Sequence, residues 1–125
     1  MKRAYQRMKN EAAFGHEECG KRKLSMNNTK WTEIFEAFYY GSELMGGPAV
    51  PWTTRSLGGD VYSDTTWTHF GVGMEGSKEI DWLRIELTPE NREFVLRNLR
   101  AIHVPGEVVG DSVYVYGHRM DVDYI

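Results

Sequence analysis

The apolar residues of this 125-residue chain change their period along its length, and that change limits the folds open to it. In Thr29–Tyr40, Trp31, Ile34, Phe35, Phe38 and Tyr39 recur at the i, i+3, i+4, i+7, i+8 spacing of one helical face. In Ile80–Leu87 the pattern alternates, with Leu83, Ile85 and Leu87 on one side of a strand and Trp82, Arg84 and Glu86 on the other. A helical stripe returns with Val95, Leu96, Leu99 and Ile102. One-sided helices and one-sided strands bury their apolar surfaces against each other. The spacing therefore predicts an α+β domain: a mainly antiparallel sheet of four to five strands with two helices packed on one face.

Local signals divide the chain further. Asn28 or Thr29 caps the first helix and Gly41 supplies its stop, while Thr88-Pro89-Glu90 starts a second helix, Pro89–Ile102, whose outer face carries Arg92, Arg97 and Arg100. From Gly41 to Asp60 five glycines, Pro48 and Pro51 break all periodicity, apart from a short strand around Trp52–Leu57. Thr66–Val72 and Ile80–Leu87 are rich in β-branched and aromatic residues and predict a hairpin across a Gly73–Lys78 turn. A second hairpin is expected from Glu107–Val109 and Ser112–Tyr116, with Gly110 at positive φ, Val113 and Val115 inward, and Tyr114 and Tyr116 outward. His118–Ile125 is expected either to add an edge strand or to stay mobile.

Charge divides the chain at Met26. Residues 1–25 carry seven Lys and Arg against three Glu, a net of +4, and residues 26–125 carry eight basic against fifteen acidic residues, a net of −7. Two parts are expected: a basic leader over 1–25, either disordered or outside the protein if translation starts at Met26, and one globular domain over 26–125. About 100 residues suffice for a single core. Cys19, the sole cysteine, lies in the leader, so an intrachain disulfide is impossible and a thiolate metal cage is excluded. No apolar run reaches membrane-spanning length and no secretory signal follows Met1, so a cytoplasmic protein is expected. An acidic domain repels nucleic acid and anionic lipid and favours a basic protein partner.

Chemistry has few footholds. There is no phosphate loop, no nucleophile elbow and no Cys and His pairing in the domain, and no cofactor is implied. His103, Glu107 and His118 could hold a divalent metal or run acid and base chemistry, but Pro105 and Gly106 keep His103 and Glu107 off one helical face. Trp52 and Arg55 are of the types enriched at recognition hot spots, and Asp60, Asp64, Trp67, Glu75, Trp82, Tyr114 and Tyr116 complete the candidates for partner binding. These residues favour an acidic binding protein of the immunity or antitoxin type. A small metal-dependent hydrolase using His103, Glu107 and His118 is the alternative, and a domain that self-associates through an open sheet face is a third.

Lys30-Trp31-x-Glu33-Ile34-Phe35-Glu36-Ala37, Ile102-His103-Val104-Pro105-Gly106-Glu107 and Val122-Asp123-Tyr124-Ile125 resemble motifs of a family of small bacterial proteins known only as a domain of unknown function. The likeness covers about residues 26–125 and is loosest across Met45–Thr65. It implies membership and carries no mechanism, so no functional residue follows from it.

Overall fold

The computed structural model describes residues 26–71, 74–119 and 121–125. In chain order its elements are α1 (Asn28–Phe38), a π-helical turn (Tyr39–Leu44), β1 (Trp52–Ser56), β2 (Val61–Asp64), α2 (Trp67–Gly71), a 3₁₀ turn (Met74–Glu79), β3 (Ile80–Glu86), α3 (Arg92–Ile102), β4 (Gly106–Val109) and β5 (Ser112–Tyr116). The strands form one antiparallel sheet in the order β2-β1-β3-β5-β4. The leader, residues 1–25, lies outside the described residues.

The core lies between the helices and one face of the sheet. Trp31, Ile34 and Phe38 of α1 and Val95, Leu99 and Ile102 of α3 meet Leu83, Ile85, Val113 and Val115, all at most 3% exposed. Each such side chain contributes roughly 2 kcal/mol of apolar burial. Asn27 rather than Asn28 caps α1, its Oδ1 accepting the Lys30 N–H at 2.8 Å. Gly41 does not stop the helix, which runs on as the π-helical turn. A Cβ at Gly41 would stand 2.6 Å from the Phe94 ring, so the small residue is needed for close packing.

The hairpin predicted from Thr66–Val72 and Ile80–Leu87 does not form. Its first half is helix α2, because carboxylates capture the backbone donors that a strand would offer to a neighbour. Asp64 Oδ1 accepts the N–H groups of Thr65 and Thr66 at 2.7 and 3.0 Å. Glu43 Oε1, from the π-helical turn, accepts those of Trp67 and Thr68 at 3.1 and 3.2 Å. With its first turn satisfied in this way, even a five-residue helix holds. Trp67 and Phe70 then share its inner side and pack on Trp52. The hairpin partner of β1 is β2, from a stretch with no evident strand pattern, and β3 lies between β1 and β5.

Helix α3 starts three residues later than Pro89. Thr88 and Asn91 close a reciprocal cap before it: Thr88 N–H donates to Asn91 Oδ1 at 2.8 Å, and Asn91 N–H to Thr88 Oγ1 at 3.1 Å. His103 ends the helix in the left-handed region, φ 70°, its N–H donating to Leu99 O. The β4–β5 hairpin turns at Gly110, φ 61°, as predicted. Tyr124 bridges to Pro105, so the final segment is docked against the start of β4.

Candidate functional site: the open face of the sheet

The helices cover one face of the sheet, and the opposite face presents rows of side chains set by strand register. Ser63, Thr53, Arg84, Tyr114 and Glu107 stand side by side across all five strands. Val61, Arg55, Trp82 and Tyr116 form the next row. Side chains of one parity share a face, so these two rows form one surface.

Its members hold one another. Trp82 and Tyr114 pack edge to face at 5.4 Å, and the Arg84 guanidinium lies 5.7 Å from the Trp82 ring. Arg84 Nε donates to Glu86 Oε2 at 2.7 Å, Ser112 Oγ donates to Glu86 Oε1, and Thr53 Oγ1 bonds Ser63 Oγ at 2.7 Å. A hydrogen bond to Tyr114, with the Glu86 carboxylate beside it, raises the Arg84 pKa. Tyr116 donates to Glu107 Oε2 at 2.7 Å, and burial together with that bond pushes its phenol up to about 12. Arg119 lies 4.3 Å over the Tyr116 ring. Arg55 pairs with Asp81 at 2.7 Å. Such prior ordering lowers the entropy lost on docking. Arg55 and Arg84 are matched by Asp81 and Glu86, while Asp60, Asp111, Asp121 and Asp123 are exposed in turns and the final segment.

The sequence candidates divide accordingly. Arg55, Trp82 and Tyr114 stand on the open face, partly exposed. Tyr116 faces outward with Tyr114 as predicted, but at 5% exposure it offers a partner little surface and instead supports the platform from beneath Arg119. Trp52 and Trp67, 3% and 0% exposed, are corrected from surface candidates to core residues, because α2 folds over the end of the sheet. Asp60 is exposed in the β1–β2 turn, Asp64 caps α2, and the side chain of Glu75 lies outside the described residues. Sequence reasoning missed Ser63 and Arg119, and also Thr53, which is 5% exposed beneath Arg84 and supports the face. The alternation of β3 puts Arg84 and Glu86 beside Trp82, but the strand order that joins them to Tyr114 and Ser112 leaves no local signal.

His103, Glu107 and His118 do not come together. His103 stacks on Tyr124 at 4.4 Å, Glu107 accepts from Tyr116, and His118 Nε2–H donates to Lys78 O at 2.6 Å. Among the described residues, no group of three or more His, Cys, Asp and Glu could hold a metal ion. The histidine and carboxylate pair that does form is His69 Nδ1–H with Asp64 Oδ2, which also accepts from Tyr62 OH at 2.8 Å. His69, then the Thr66 N–H and Tyr62, hold Asp64 well below the usual carboxylate range.

The three motif segments meet at one joint. Lys30 Nζ donates to His103 O at 2.8 Å and lies over the Tyr124 ring; Gly106 N–H donates to Asp123 O, and Ile125 N–H to Val104 O, each at 2.9 Å. An antiparallel sheet covered on one side by helices, with an aromatic and arginine surface on the other, defines a two-layer α+β protein. The chain belongs to the family of unknown function DUF6678, which it matches over residues 19–121. No curated protein and no solved structure matches it. Among the described residues, no helix is long and apolar enough to cross a membrane.

Proposed function

We propose that this chain is a bacterial, cytoplasmic binding protein of the immunity or antitoxin type, which docks a basic protein on the open face of its sheet. The observation that carries this reading is the ordered surface of Trp82, Tyr114, Arg84 and Arg55 with no element of the described chain packed on it. Tryptophan, tyrosine and arginine dominate binding energy when they stand at the centre of an interface. The charges fit an interface with a neutral centre and an acidic rim: arginines at the centre are matched within the face, and the −7 surplus of residues 26–125 includes exposed carboxylates at its margins. The rim attracts a cationic protein over distance and the centre holds it.

Affinity capture from the source cell tests this, with the full chain and its Trp82→Ala, Arg84→Ala double variant as baits. A basic protein retained by the full chain, released by roughly 1 M salt and lost from the variant, is the expected result. A partner retained equally by both baits, or one that is itself acidic, overturns the reading.

A further inference from the structure

The two edges of the sheet are treated differently. At β4 the final segment lies against the edge, through the Pro105 and Tyr124 bridge and the bond from Gly106 N–H to Asp123 O. At β2 nothing among the described residues pairs with the outer side. Natural sheets guard such edges with charge, proline, a bulge, a covering segment or shortness, and β2, four residues ending in Asp64, relies on the last and on a single charge at its end. Val61-Tyr62-Ser63-Asp64 has no lysine or proline, and Val61 and Tyr62 are 60% and 50% exposed.

The direction of its free backbone groups follows from the ladder. Glu86 N–H donates to Pro51 O and Leu57 N–H to Glu79 O, so the odd residues of β1 bond toward β3. Ser56 N–H donates to Asp60 O, so the even residues bond toward β2. With Thr54 opposite Tyr62 and Trp52 opposite Asp64, the inward-bonding residues of β2 are Tyr62 and Asp64. Val61 and Ser63 therefore aim both their N–H and C=O groups out of the edge.

We propose that β2 pairs with β2 of a second copy of this chain, antiparallel and two-fold symmetric about Tyr62. The outward groups are self-complementary in that register: Val61 faces Ser63 of the second copy, Ser63 faces its Val61, and all four N–H groups find carbonyls. Registers centred on Val61 or Ser63 leave one of these residues without its counterpart. Tyr62 then meets Tyr62 of the second copy in a non-hydrogen-bonded pair, where side chains stand closest, which suits an aromatic ring that is half exposed in the single chain. Asp60 falls opposite Asp64 of the second copy on both sides of the two-fold, where each Asp64 carboxylate is already engaged by the Thr65 and Thr66 N–H groups and the Tyr62 hydroxyl. The product is a ten-stranded sheet whose two open faces lie on the same side and run together. The inference rests on the outward backbone groups of β2 and the proposed function on the side chains of Trp82, Tyr114, Arg84 and Arg55, so either can fail without the other, although Val61 and Ser63 also border the open face.

Sedimentation of the full chain from about 1 µM to about 1 mM tests it. Mass is expected to rise from one chain toward two, and Val61→Lys and Ser63→Pro are each expected to weaken association at least tenfold. Val61 is 60% exposed, and unaltered melting of the dilute Val61→Lys variant verifies its fold; Ser63→Pro also removes the bond to Thr53 Oγ1, so its association is read against its own melting. On a Cys19→Ser background, Tyr62→Cys is expected to cross-link to itself under mild oxidation, and Val108→Cys, on the other edge, is not. A wild-type chain that stays monomeric throughout, dimers that persist in both edge variants, or cross-linking at Val108→Cys alone overturns the proposal.

Discussion

Asp64 accepts from four donors at once: the N–H groups of Thr65 and Thr66, the Tyr62 hydroxyl and the His69 ring. Its carboxylate is held below its ordinary pKa, so its contribution to stability is present above about pH 4 and is lost as pH falls through the lowered folded value. Urea midpoints measured from pH 7 to pH 3 are expected to fall for the wild type and to fall less steeply for Asp64→Asn. Tyr116 behaves oppositely. Its phenol, pushed up to about 12, stays protonated in the fold after the unfolded chain has begun to ionise near pH 10. Stability from this residue is complete below pH 10 and declines as pH rises through about 12. Tyr116→Phe is expected to lose the Glu107 bond, at a cost of about 1 kcal/mol at pH 7, and to show less alkaline decline in the same measurement.

Among the elements, Gly106 is the least replaceable residue of β4. A Cβ there would lie 2.0 Å from Tyr114 O, in the backbone of the strand it pairs with. Gly106→Ala is expected to destabilise by about 3 kcal/mol, read as a lowered urea midpoint. Glu43→Gln, which weakens the acceptor for the first turn of α2, is expected to cost about 1 kcal/mol and to raise amide exchange at Trp67 and Thr68. These two cases show what was legible in the sequence. The stripes of α1 and α3, the alternation of β3 and the Gly110 turn are encoded within a few neighbouring residues, and all four form. The helix within Thr66–Val72 rests on Asp64, a local cap masked in the sequence by the β-rich composition, and on Glu43, 24 residues before Trp67, which leaves no local pattern. The open face was legible only in part for the same reason: Trp82, Arg84 and Glu86 announce one outward row, while Thr53, Ser63 and Tyr114 join it through strand order.

For the whole molecule, the proposed docking of a basic partner predicts that the −7 surplus of residues 26–125 governs the rate of approach while the charge-matched platform governs the strength of hold. Against a basic partner, added salt is expected to slow association, whereas Trp82→Ala is expected to speed dissociation and weaken affinity by about 2 kcal/mol, close to thirtyfold, in stopped-flow and equilibrium titrations. The four tryptophans of the chain are Trp31, Trp52, Trp67 and Trp82, and the first three are at most 3% exposed. Trp82 is therefore the one indole that a dissolved quencher reaches easily. The protein carries its own optical reporter on the open face: iodide or acrylamide quenching is expected to fall when a ligand covers Trp82 and to stay unchanged when a second copy pairs at the β2 edge.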